Sequence, residues 1–280
     1  MQISDHRLVG DNGEPVPFIG SPNVGGKLSG GKPRFLVIHF TAGATASGAV
    51  NWFKDPANST SAHLVIGHDG EITQMVPFDT VGHHAGESRW KGVRGCNSHS
   101  VGIEIANWGK LERSGAGGWM SWTGKPVPAE RVVLAEHRHS PGVQFGWETF
   151  DEAQYFAAVK AAQAIVAAYG LAPWDVVGHD DISPLRKVDP GPAFNMDRFR
   201  SLVFGRAEDD WDDLRFKVRS DTGLNLRIEP AVGGKLIRTL PDGTTVHVIE
   251  KTGLWWLVCE VVEGTDDRTG FVHSHFLEPV

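Results

Sequence analysis

Two cysteines in 280 residues, Cys96 and Cys259, lie far apart, and neither stands in a CxxC pair. That argues against a disulfide framework and against a thiolate metal or dithiol redox site. Positive charge is also short: 27 basic residues face 34 acidic ones, for a net charge of −7. Nucleic acid, whose phosphates favour a basic surface, is therefore not an expected partner. No apolar run is long enough to cross a bilayer, so no membrane insertion is expected. The opening MQISDHRLVGDNGEP lacks the basic start and apolar stretch of a secretory signal. The expectation is synthesis in the cytoplasm, with any action outside reached by another route. Internal repeats and the HExxH metal motif are missing too.

What is present is the alternation of an ordered globular chain, 40% hydrophobic and 22% charged. Residues 1–33, rich in Gly and Pro, read as an irregular leader. FLVIH (35–39) reads as a buried strand, and HLVIG (63–67) with EITQMV (71–76) as a hairpin turning at HDG. In SVGIEIAN (100–107), Val101, Ile103 and Ile105 alternate with Gly102, Glu104 and Ala106, which predicts a strand with Glu104 off the apolar face. Weak periodicity over 108–148 predicts long loops with at most a short hairpin. The clearest helix is FDEAQYFAAVKAAQAIVAAYG, with Thr149 and Glu152 as a capping box and Gly170 as its stop. Phe156, Val159, Ile165 and Val166 would form its apolar face. A short helix is expected over 195–204. RAEDDWDD (206–213) reads as a linker, and short alternating strands after it predict a small all-β barrel over 214–280.

Among the 13 histidines, His39 ends a strand and His179 follows the strand-like VV of VVGHDDISPLRKVDPGP. His179 and Asp189 stand in a loop shaped by Pro184, Pro190 and Gly191, which could fold both onto one ion with His39. Two histidines, one aspartate and a water make the donor set of a catalytic zinc, whereas structural zinc is closed by four protein ligands. Spacing alone also fits hydrogen-bonded strand-end histidines and turn-forming aspartates. Glu104 is a candidate general base if half-buried, and Lys187 a candidate cation for a developing oxyanion; each also fits an ordinary surface role.

Four co-linear blocks over roughly 30–205 remove much of that ambiguity. FLVIHFTAG, SAHLVIGHDGEITQMV running on to VGHHAGESRW, RGCNSHSVGIEIAN and VVGHDDISPLRKVDPGPAF together resemble the type-2, zinc-dependent N-acetylmuramoyl-L-alanine amidases, relatives of peptidoglycan recognition proteins and phage lysins. The resemblance implies an α/β fold, a mixed central sheet flanked by helices. It implies one zinc per chain on His39, His179 and Asp189, with Glu104 as general base and Lys187 stabilising the transition state. His84 would line the substrate cleft, with Arg94 and Asn97 as further contacts to the muropeptide. His83 stands where the family commonly has tryptophan.

The tail resembles bacterial SH3-like domains through LNLRIEP, LPDGTTVHVIE and GFVHSHFL, modules that commonly bind cell-wall peptide or glycan. Trp255 and Trp256 divide between core and binding face on this reading. The expected activity is hydrolysis of the amide between N-acetylmuramic acid and L-alanine in cell-wall lysis or remodelling, after holin-type or secretion-system release. The alternatives are a non-catalytic peptidoglycan binder and a cytoplasmic muropeptide-recycling amidase. A tethering module raises effective concentration on a polymer, which favours intact wall over soluble fragments.

Overall fold

The computed structural model describes residues 1–115, 117–140, 142–184, 186–205, 215–260 and 268–280. The expected linker, 206–213, lies outside the described residues.

The predicted strands assemble into one five-stranded sheet in the order Val176–Gly178, Phe35–Phe40, Ser100–Ile105, Leu64–Ile66, Ile72–Gln74. The first four run parallel, and the last closes the predicted hairpin antiparallel to its neighbour, so the sheet is mixed as expected. Alternation along the strands sorts their side chains onto two faces. Leu36, Ile38, Val101, Ile103 and Ile105 point to a core shared with the long helix Glu152–Tyr169 and the helix Met196–Phe204. Phe35, Val37, His39, Gly102, Glu104 and Val177 belong to the other face.

The long helix starts two residues later than the capping pattern suggests: Asp151 is its N-cap, and the Asp151 backbone N–H donates to Gln154 Oε1 at 2.8 Å. Gly170 stops it in the left-handed conformation at φ 68°. Its buried side is Tyr155 and a row of alanines with Val159 and Ile165, while Phe156 is exposed. Alanine lets the helix lie close to the sheet, and this choice of face overrides the larger aromatic.

Two loop expectations are corrected. The leader contains a hairpin, Gln2–Ser4 with Arg7–Val9, that buries Leu8 in the main core, and a strand, Val24–Lys27, paired with Thr80–Gly82. The 108–148 segment is an antiparallel sheet of five short strands, in the order Pro126–Val127, Trp119–Met120, Lys110–Arg113, Gln144–Glu148, Val132–Glu136. Two of these strands are only two residues long, too short to show a period in sequence.

The C-terminal region is all-β as predicted, seven antiparallel strands around Val218, Leu226, Leu240, Val246, Val258 and Val272. It does not stand apart. Leu257 and Phe271 join Phe35, Val37, Trp90, Val177 and Ile182 in a single buried cluster on the second face of the central sheet. Trp255 packs against this shared cluster and Trp256 against the barrel's own core, so both indoles serve packing in part. Cys96 and Cys259 are buried and not joined in a disulfide. No helix among the described residues is long and apolar enough to cross a membrane.

Candidate active site

Register alone gathers the site. In the parallel pairing of Ser100–Ile105 with Phe35–Phe40, Glu104 lies directly opposite His39, and side chains opposite one another share a face. On the other flank Gly178 pairs with Ile38, and the next residue is His179. Three neighbouring parallel strands thus deliver Glu104, His39 and His179 in a row at their C-terminal ends, where open α/β sheets bind ligands. Asp189 returns to this row because its carbonyl accepts from the Asp180 backbone N–H at 2.9 Å.

His39 Nδ1, His179 Nδ1 and Asp189 Oδ2 form a nearly equilateral triangle: 3.0 Å between the nitrogens and 2.9 Å from each to the carboxylate. All three residues are buried. The hydrogen-bond chain behind them fixes which atoms carry protons. His179 Nε2 faces the Ala85 carbonyl at 3.1 Å and must donate to it, leaving its Nδ1 lone pair free. Ser100 Oγ spends its proton on the Cys96 carbonyl at 2.7 Å, so it accepts from His84 Nε2 at 3.3 Å. His84 Nδ1 is then an acceptor, and His39 Nε2 donates to it at 3.0 Å. His39 Nδ1 is left as a lone pair too.

Three acceptors therefore converge with no proton between them. Burial, then the neighbouring imidazole of His179, pushes His39 down to about 4, and burial puts His84 well below its ordinary value, so both are neutral near pH 7. A tetrahedral zinc with bonds of about 2.0–2.1 Å keeps its donors roughly 3.3–3.4 Å apart, slightly wider than this triangle. The donor types, tautomers and spacing fit such an ion, and this is the sole cluster of its kind among the described residues.

Glu104 and Lys187 share a cleft of about 580 Å³ with the triad. Burial, then the charge of Asp189, raises Glu104 well above the usual carboxyl value, with Lys187 partly offsetting both. Its Oε2 is buried with no hydrogen-bond partner among the described residues. His84 lies in the cleft wall and is packed over Gly102, where a Cβ would come within 2.6 Å of the ring. His83 lines the cleft as well.

The other two expected contacts sit elsewhere. Asn97 Oδ1 accepts from the backbone of His84 and Ala85 at 3.0 and 2.7 Å, holding the loop that carries His84. Arg94 is exposed on the Arg89–Arg94 hairpin, outside the cleft lining. Sequence reasoning missed Ser100, whose only signal is its place at the start of the Glu104 strand. It also missed Trp52, Trp108, Trp122 and Lys125, which line the cleft from the neighbouring helix and the 108–148 sheet.

Against known proteins, the family model for N-acetylmuramoyl-L-alanine amidases matches residues 29–192. The chain belongs to that amidase family. A bacterial SH3 domain model matches residues 222–278. Similar curated amidases include the 1,6-anhydro-N-acetylmuramyl-L-alanine amidase AmpD of Escherichia coli K12, 34% identical over 143 residues, 51% of this chain and 58% of that one. The N-acetylmuramoyl-L-alanine amidase AmiD of the same organism is 32% identical over 189 residues, 65% of this chain and 56% of that one. The match thus spans little more than half the length of these relatives. The crystal structure of a selenomethionine AmpD derivative shares the amidase fold at a TM-score of 0.50 and 24% identity, covering 72% of this chain and 99% of that one.

Proposed function

We propose that the protein is a zinc-dependent peptidoglycan amidase that hydrolyses the amide between N-acetylmuramic acid and L-alanine. The observation that carries this reading is the triangle of unprotonated donors with Glu104 in register beside it. His39, His179 and Asp189 would hold one zinc, which when bound supplies an acidified water and a polarised carbonyl. Glu104 is the proton carrier: its raised pKa and unpartnered Oε2 suit it to take a proton from the attacking water and return it to the leaving alanine nitrogen. Lys187 lines the same cleft, has no ion pair among the described residues, and supplies positive charge for the oxyanion. His84 orients His39 through its Nδ1 acceptor.

Residues 1–205 form the catalytic domain in this proposal and 214–280 a wall-binding domain. The setting is lysis or remodelling of intact wall after release from the cytoplasm. Similarity to relatives named for 1,6-anhydro-N-acetylmuramyl-L-alanine favours a second setting, the recycling of soluble fragments. Mass spectrometry of digests of intact sacculi and of soluble anhydro-muropeptide tests both. New L-alanine amino termini are expected, and products cut only at glycosidic or cross-bridge bonds would overturn the amidase reading.

A further inference from the structure

The cleft has a second end that the catalytic groups do not use. Trp122 and Lys125 sit in the turn of the Trp119–Val127 hairpin, and both line the cleft that holds His39 and Glu104. Trp122 is 67% exposed, yet it is not free to swing: its Nε1–H donates to the Ala42 carbonyl at 2.8 Å. Across the cleft lining, Trp52 is 57% exposed and similarly held, donating to Thr60 Oγ1 at 2.9 Å. Each indole has spent its single donor on the protein, so what it offers a ligand is an oriented apolar face. A large aromatic kept exposed and oriented in a cleft is a binding platform, and the CH-rich face of a sugar ring complements it. Lys125 adds a charge. The lysine ion pairs among the described residues are those of Lys27, Lys91 and Lys160, and Lys125 takes part in none of them. The acidic groups of the cleft are already engaged, Asp189 by two imidazoles and Glu104 beside Lys187.

We infer that Trp122 and Lys125 form a specificity subsite for an acidic glycopeptide, the indole against the sugar and the ammonium on a peptide carboxylate. This rests on the amidase reading and narrows its substrate. A cleft of about 580 Å³ holds roughly one sugar and two amino acids. Lys125 is assigned the carboxylate of the residue after the scissile alanine. The subsite discriminates a free acid from its amide there, because amidation removes the charge that Lys125 pairs with.

The probes are N-acetylmuramoyl-L-alanyl-D-isoglutamate and its isoglutamine counterpart, with binding measured by calorimetry on zinc-loaded Glu104→Gln protein so that no turnover intervenes. The acid is expected to bind about tenfold more tightly than the amide. Lys125→Gln should erase that preference by weakening the acid alone. Trp122→Ala should weaken both probes alike, again by about tenfold. Equal affinities for acid and amide, or a Lys125→Gln variant that weakens both equally, would overturn the subsite. Hydrolysis of either probe by the unsubstituted protein is scored separately and bears on the amidase reading alone.

Discussion

The turn from His179 to Asp189 has two sides of opposite character. Toward the cleft, Asp189 Oδ2 meets Nδ1 of His39 and Nδ1 of His179, each at 2.9 Å. Toward the interior, one residue beyond His179, Asp180 is fully buried and surrounded by donors: Arg138 through two guanidinium nitrogens and His137 Nε2 at 3.0 Å. Asp181 is likewise filled, by the Gly178 backbone N–H at 2.7 Å, Arg138 at 2.7 Å and Thr269 Oγ1 of the C-terminal barrel at 2.6 Å. Burial would raise Asp180, but Arg138 and His137 hold it low. Both sides are rich in Asp and His, and both are buried. What separates them is the count of donors against acceptors. Where every acceptor has a donor the network is a strut, and where acceptors face each other it is a place for a cation.

Substitutions on each side sharpen or break this contrast. The largest effect is expected from Glu104→Gln on the open side: zinc content unchanged, kcat down by about 10²–10⁴-fold. The same variant tests the raised pKa. In the folded, metal-free protein, ionising Glu104 is unfavourable, so wild-type stability should fall as pH rises from the ordinary carboxyl pKa through the raised one. Urea midpoints across pH should show that fall in the wild type and its loss in Glu104→Gln. Turnover unchanged in the variant would remove Glu104 from the proton-transfer role.

On the sealed side, Arg138→Ala strips the main partner from two buried carboxylates and should cost about 3–5 kcal/mol of stability, read from denaturant unfolding of metal-free protein. A cost below about 1 kcal/mol, the scale of an exposed ion pair, would mean the network is not a strut. Next comes His84→Ala, which removes the acceptor that fixes the His39 tautomer. Zinc affinity, measured against a chromophoric chelator, should drop about 10–100-fold. An unchanged affinity would show that the relay from Ser100 does not orient the ligand. The smallest effect belongs to Thr269→Val, which deletes one hydrogen bond between the barrel and Asp181 and should cost about 1 kcal/mol. No loss would indicate that the barrel is held by its apolar contacts with Phe35, Val37 and Trp90 alone.

Much of the fold was legible because its strands carry strong local signals. FLVIH and SVGIEIAN show apolar runs and alternation, and Gly170 marks a helix end. The candidate ligands His39, His179 and Asp189 were legible as residues in ordered blocks. The 108–148 sheet was not, because strands of two residues have no period and are held by pairing alone. The helix face was misjudged at Phe156 because hydrophobicity cannot outvote the close fit of alanines on a sheet. The tail's strands were read correctly, but the packing of Leu257 and Phe271 against Val177 and Ile182 was not foreseen. Exposed edges of two patterns do not announce in sequence that they fit each other.

By itself the sequence determined which residues form the central strands and long helix, and which side chains of each strand share a face, because those follow from periods of 2 and 3.6 along the chain. Tertiary structure alone decided that Glu104 stands opposite His39, that Ser100 sets the proton positions of His84 and His39, and that Arg138 and Thr269 close over Asp180 and Asp181. The reason is that these relations join residues as far as 42, 45 and 88 positions apart. Register and donor-to-acceptor matching arise only when the strands have paired, and no local pattern carries them.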